Sequence, residues 1–490
     1  MRQLTSLDTQ FLAVEDGRVT GHVMTLGIYD PATARDGQLT AATVENFINQ
    51  RIHLLAPLRS RLIEVPLSLD LPYWAEDPEF DVTRHVSEHR VATPGDDHML
   101  AELVADIAAR PLDRARPLWE IHVIHGLERG RVAVLFKCNH SLMDGISGTG
   151  FFSTLLDPSA DGIEIAAGTR PVGQLPTSAE MIARGIGGLV RHPFRMLNSL
   201  PKALPHLDLV PSLGVIPGVG TAASLTRQVL RVGGSTGDGK VIGRPAAHAP
   251  RTRFNRRVSD RRHYAFASLS VAEVKAIKNH FDVTVNDVVM AIAAGAMRTW
   301  LSERGELPAR PLVALVPISV RIDDGTSYGN QIGMLVPALP TDEPDAVRRL
   351  LRVHESLSAA KSRHRAVPAT LLQDANHFIP PAIFARAARA MTIVGTSPLM
   401  GVSANLLVSN IPGPSEPMFL AGARLDAHYP VGTILHGLGL TIGVMRCNDH
   451  LDWGVICDRF EKDDAWSIVS AIQLAQQELV DALPAASQST

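Results

Sequence analysis

Apolar and polar positions along the 490-residue chain change period repeatedly, and each change predicts an element. Residues 132–136 are a short unbroken apolar run that reads as a buried strand, stopping at the sequence CNHSLMDG. The following GISGTGFFSTLLD predicts a helix opened by a glycine-rich turn, so His140 falls at a strand end and Asp144 on the turn. In the second half the pattern predicts a strand over 263–269, a helix over 271–280 and a longer helix starting near Asn286. Strands then follow over 312–316, 404–409, 438–445 and 451–457, before an amphipathic helix over about 463–483. Such mixing of the two element types predicts α/β layering, and no short-period repeat interrupts it.

Between about 157 and 255 the periodicity fades, and Gly and Pro recur every few residues, ending in GGSTGDGKVIGRPAAHAP. This composition predicts a linker, and the chain length favours two domains. The expected division is an N-terminal lobe over 1–180, a linker with an amphipathic segment over 181–255, and a C-terminal lobe over 256–490. In the segment 181–204, Met181, Ile182, Ile186, Leu189 and Phe194 lie among Arg184, Arg191, Arg195 and Lys202. Such a pattern is that of a helix packed on its own domain, with a helix lying in a membrane interface as the other reading.

Composition narrows the classes of function. With 47 basic and 50 acidic residues the net charge is −3, and no Lys/Arg run is long enough to track phosphates, which argues against nucleic acid as a partner. The three cysteines, Cys138, Cys447 and Cys457, match neither a zinc site nor a disulfide framework, so a reducing, cytoplasmic compartment is expected. The opening residues lack the apolar core of an export signal. A long uncharged stretch from Met391 is broken by Pro398, Pro412 and Pro414, so no membrane-spanning segment is expected.

The local signal for chemistry is HxxxDG, formed by His140, Asp144 and Gly145. Imidazole titrates nearest neutrality, so a strand-end histidine beside small residues can take the proton of a hydroxyl as it attacks a thioester. That reaction needs both substrates held together and donors for the oxyanion, but no covalent enzyme intermediate. The motif alone leaves three other readings open: a core histidine beside an ordinary turn aspartate, a His/Asp metal pair with no further cluster close in sequence, and Cys138 as a nucleophile. For Asn286 and Asp287, Thr284 three residues before Asp287 makes a capping box sufficient to explain the pair, beside a functional reading in which this helix start faces the site.

Several blocks in order give a wider resemblance. LTSLDTQFLAVED near the start, PLDRARPLWEIHVIHGL with Pro117, Leu118 and Trp119, CNHSLMDG, the Asn286–Asp287 pair, VPISVR, GNQIGMLVPALP, SNIPGP and LDWGVICDR resemble the bacterial wax ester synthase/diacylglycerol acyltransferase family over nearly the whole chain. That family usually carries HHxxxDG, whereas this sequence has Asn139 before His140. The resemblance implies an α/β, α+β layered fold similar to chloramphenicol acetyltransferase and peptide-synthetase condensation domains: two lobes meeting at a tunnel with the motif histidine at its middle. It implies His140 as general base, Asn139 keeping a hydrogen-bonding role through its amide, and Asp144 as a structural residue paired with an arginine, Arg59 first and Arg321 second. Gly145 would allow close approach, its N–H helping to bind the oxyanion, and Pro117 to Trp119 would pack beneath the site. The implied reaction is long-chain acyl-CoA plus diacylglycerol giving triacylglycerol and free coenzyme A. Alternatives are wax ester synthesis with a fatty alcohol, and a lipid-binding paralogue that has lost catalysis. No cofactor or metal is expected beyond the coenzyme A of the donor, and the lipid substrates imply visits to the inner membrane face or a lipid droplet.

Overall fold

The computed structural model describes residues 1–143, 154–165, 168, 174–188, 249–319, 332–365, 396–397, 401–460 and 464–484. In chain order the strands are β1 (Arg2–Gln3), β2 (His22–Asp30), β3 (Ser60–Ile63), β4 (Tyr73–Glu76), β5 (Val86–Arg90), β6 (Trp119–His125), β7 (Val132–Asn139) and β8 (Arg262–Ser270). They continue with β9 (Leu312–Ser319), β10 (Ile332–Leu335), β11 (Ala338–Leu339), β12 (Leu406–Ile411), β13 (Phe419–Leu420), β14 (Ala423–Val431), β15 (Leu440–Cys447) and β16 (His450–Asp458). The labelled helices are α1 (Ser6–Ala13), α2 (Ala41–Arg51), α3 (Asp97–Ala109), α4 (His140–Met143), α5 (Val271–Phe281), α6 (Val285–Glu303), α7 (Ala346–Arg365) and α8 (Asp464–Asp481).

Two large sheets organise these elements into two lobes. The first has the order β13-β14-β2-β7-β6-β5 and the second the order β10-β9-β12-β15-β16-β8, while β1, β4 and β3 form a small third sheet. Successive residues of a strand point to opposite faces, and the first sheet uses both faces. Val123 and Val134 join Val44, Phe47 and Ile48 of α2, whereas Ile124 and Leu135 join Leu100, Val104 and Ile107 of α3. In the second lobe α6 buries almost its whole circumference, with Val288, Val289, Ile292, Ala293, Met297 and Trp300 in one core with strands β9, β12, β15 and β16 and helices α7 and α8. A helix apolar all round is expected where it is enclosed on every side.

The expected division at residues 181 and 256 does not describe the sheets. β13 and β14 belong to the C-terminal half by sequence, yet they complete the first sheet, with β14 antiparallel to β2 from Arg424↔Asp30 to Val431↔Met24. ARLDAHYPV carries no mark of which sheet it joins, because partner choice depends on residues hundreds of positions away. One apolar cluster accordingly spans both lobes, uniting Leu26, Ile28 and Val104 with Tyr264, Phe266, Tyr429, Val431 and Ile456. The helix expected after Gly145 lies largely outside the described residues, as does most of the expected linker.

Candidate active site

His140 is the first residue of α4, directly after Asn139 ends β7. The strand therefore runs three residues beyond the apolar stretch that predicted it, and Lys137 in that extension is buried with its ammonium on the carbonyls of Ile107 (3.0 Å) and Arg110 (2.7 Å) at the end of α3. A cation is favoured at a helix C-terminus, which explains why the strand continues through a lysine.

His140 is half-buried and held from two sides. Its backbone N–H donates to the Gly21 carbonyl at 2.8 Å, and its ring stacks on Phe11 of α1 with centroids 4.0 Å apart and planes 12° from parallel. Burial brings its pKa down to about 4. At neutral pH the imidazole is thus uncharged, the state a general base requires.

Asn139 is buried and uses both ends of its amide. Its Nδ2 donates to Glu15 Oε1 at 2.9 Å, while its Oδ1 accepts from the Ser141 backbone N–H (3.0 Å) and hydroxyl (2.6 Å). A side chain with a donor and an acceptor suits both neighbours without carrying a titratable proton. Beneath it, the Asn139 N–H donates to the Leu118 carbonyl at 2.9 Å, and Trp119, paired with Cys138, donates from its indole to the Leu58 carbonyl at 2.7 Å. Pro117 to Trp119 thus pack under the motif, as expected. Cys138 is enclosed in the apolar cluster of that lobe, and burial pushes its thiol far above the usual range, which removes it as a nucleophile at neutral pH.

Asp144, Gly145 and Arg321 lie outside the described residues. Arg59 is buried, and its partners among the described residues are Glu76 Oε1 (2.9 Å) and the Ile52 carbonyl (2.7 Å). Asn286 and Asp287 open α6. Asp287 Oδ2 accepts the Thr284 N–H at 2.8 Å and the Asp287 N–H donates to Thr284 Oγ1 at 3.2 Å, the capping box read from the sequence. Asp287 also meets His354 Nδ1 at 2.8 Å; burial works to raise its pKa, but this bond and those to Thr284 outweigh it and hold the carboxyl below its usual range. Asn286 Oδ1 accepts from Asn410 of β12 at 3.4 Å, tying two of the quoted sequence blocks together.

Three residues at the site were not singled out from the sequence: Phe11, Glu15 and Gly21. They converge because β2 and β7 pair in register, His22 opposite Asn139, and no local pattern signals that pairing. The next acid, Asp16, turns the other way and binds His436 Nε2 of the second lobe at 2.9 Å. Burial works to raise the Asp16 pKa, but the hydrogen bonds from His436, Val19 and Arg18 bring it down to about 2. Among the described residues no group of three or more His, Cys, Asp or Glu side chains is placed to hold a metal ion.

Residues 4–289 match the wax ester synthase/diacylglycerol acyltransferase catalytic domain, and residues 328–479 match the C-terminal domain of the same family. The chain belongs to this family. Two proteins of Mycobacterium tuberculosis assigned by name as diacylglycerol O-acyltransferases are similar to it: one is 31% identical over 484 residues, 98% of this chain and 90% of the relative. The other is 32% identical over 488 residues, 98% of this chain and 96% of the relative. Among solved structures, the wax ester synthase/diacylglycerol acyltransferase of Marinobacter aquaeolei VT8 superposes with a TM-score of 0.66 at 25% identity, covering 98% of both chains. The first condensation domain of the CDA synthetase shares the two-lobed fold, with a TM-score of 0.54 at 15% identity over 100% of this chain and 98% of that one. Beside His140, the neighbours Glu15 and Ser141 take up both ends of the Asn139 amide.

Proposed function

We propose that this family member transfers a long-chain acyl group from acyl-CoA to diacylglycerol, giving triacylglycerol and free coenzyme A. The observation that carries the reading is a neutral, half-buried His140 at the strand end of the family motif, in a chain matched to relatives along 98% of its length. The acceptor hydroxyl gives its proton to the His140 imidazole as its oxygen attacks the thioester carbonyl. The tetrahedral intermediate then collapses, the C–S bond breaks, and the coenzyme A thiolate receives that proton, so the histidine ends as it began. The Gly145 N–H is assigned to the developing oxyanion and Asp144 to holding the turn.

Purified protein should release coenzyme A from palmitoyl-CoA faster when dioleoylglycerol is added, with hexadecanol as a parallel acceptor. Release that neither acceptor stimulates would sink the transferase reading and point to lipid binding without catalysis.

A lipid acceptor requires the enzyme to visit a lipid surface. Among the described residues no helix is long and apolar enough to cross a membrane. The described part of the amphipathic segment is helical over 178–188, with Met181 buried and Gly185 so close to Val65 and Leu69 that a Cβ would crowd them. One turn apart on the outer side, Ile182 is 40% and Ile186 54% exposed, and Leu67, on the same 65–69 loop, is 85% exposed. We assign this patch to peripheral contact with lipid. Ile182→Asp combined with Ile186→Asp is expected to lower binding to phosphatidylglycerol vesicles at least about threefold in co-sedimentation, two isoleucines contributing on the order of 1 kcal/mol or more. Unchanged binding would remove this patch from the interface.

A further inference from the structure

We propose that Glu15 is a positioning residue for His140, one carboxylate oxygen gripping both chain segments that fix the histidine. The inference rests on the reading of His140 as the general base. Glu15 lies two residues past the end of α1, where its Oε1 accepts the Gly21 N–H at 3.0 Å and Asn139 Nδ2 at 2.9 Å. Both residues adjoin His140. Gly21 supplies the carbonyl that binds the His140 N–H, and Asn139 precedes His140 in the chain. Through its other end Asn139 accepts both Ser141 donors, so the residues before and after His140 are tied to each other.

The second oxygen of Glu15 fixes the carboxylate itself. Oε2 accepts from Arg114 Nη2 at 2.7 Å, and the same nitrogen reaches the Leu12 carbonyl at 2.9 Å, tying the carboxylate to the end of α1. That helix also presents Phe11, whose ring stacks on the imidazole. Close approach is possible because residue 21 is glycine: a Cβ there would lie 2.4 Å from the Phe11 carbonyl oxygen and 3.2 Å from Glu15 Oε1. Glu15 therefore joins the helix behind the ring to the strand and turn that carry it. Charge-assisted bonds of this kind are stronger than neutral ones, and the carboxylate accepts three donors where a neutral side chain would leave at least one unmet.

Positioning predicts a loss in turnover rather than in substrate binding. Glu15→Ala is expected to lower kcat about 10- to 100-fold with KM changed by less than about threefold, the scale of displacing a reacting group by up to an ångström. Glu15→Gln keeps an acceptor toward Gly21 and Asn139 and should restore kcat to within about tenfold of the parent. Asn139→Ala removes one arm of the same grip, so its loss and that of Glu15→Ala should overlap in the double variant rather than multiply. If Glu15→Ala does not fold, Asn139→Asp sets a second carboxylate against Glu15 and should show the same kcat loss. Parental kcat in folded Glu15→Ala, a loss confined to KM, multiplicative losses in the double variant, or parental kcat in Asn139→Asp would each overturn the proposal. His140→Ala run alongside separates the two readings: if it stays active the base assignment fails, and if it is inactive while Glu15→Ala is unaffected only the positioning role fails.

Discussion

Replacing His140 by alanine is expected to lower kcat for acyl transfer by a factor of about 10²–10⁴, the usual contribution of a positioned general base. The same imidazole sets the acid limit of the parent enzyme. Burial holds its pKa at about 4, so kcat/KM should stay level as the medium is acidified through pH 6 and fall only as the ring gains its proton near pH 4. A limb near the ordinary histidine value instead would show a solvated ring. Stability moves in the same window. The folded pKa lies below the unfolded one, so between pH 6.5 and 4 the unfolded chain binds the proton first and stability falls with pH, by at most about 3 kcal/mol from this group. His140→Ala lacks that contribution, and its denaturation midpoint should depend less on pH than the parent's. An alanine variant with near-parental kcat would remove His140 from the chemistry.

Asp157→Ala is expected to destabilise the protein by about 3–5 kcal/mol, because it strands a buried guanidinium. Arg51 Nη2 reaches both carboxylate oxygens of Asp157 at 2.8 Å, and neither side chain is exposed. Arg51 also donates to the Phe47 carbonyl at 3.3 Å and lies 3.5 Å over the Phe47 ring. The aspartate backbone meanwhile exchanges two hydrogen bonds with Phe419 of β13, at 2.7 and 2.8 Å, which places the pair where the chain returns after the motif. Replacing both partners with leucine should cost far less than removing the carboxylate alone, since no unpaired charge remains. Urea denaturation measures both. A loss below about 1 kcal/mol for Asp157→Ala would mean that water reaches the guanidinium.

Much of the local structure was legible because local physics decides it. The Thr284–Asp287 capping box opens α6 as read, and strands expected over 451–457 and 263–269 appear as His450–Asp458 and Arg262–Ser270. His140 stands at its strand end for the same reason, an apolar run closed by polar residues. What could not be read was set by pairing across the chain. Arg59 was legible as a candidate ion-pair residue, but Glu76 comes within reach through the β3–β4 ladder, which sets Ser60 opposite Glu76. Glu15 lies 124 positions from Asn139, and only the β2–β7 register brings them together. Met181 and Ile182 look alike in an amphipathic pattern, yet one is buried against its own lobe and the other faces outward.

The late arrival of β14 has a consequence for how the chain is made. Arg424 and Asp30 are neighbours in the finished sheet but 394 positions apart in sequence. At synthesis rates of about 5–20 residues per second, β2 leaves the ribosome roughly 20–80 s before the strand that covers it exists. Throughout that interval its outer backbone groups offer a template to any extended segment nearby, including the same strand of another nascent chain. A fragment ending before residue 423 would keep that edge open permanently, so the first lobe is expected to be a folding unit only in the company of residues made near the end.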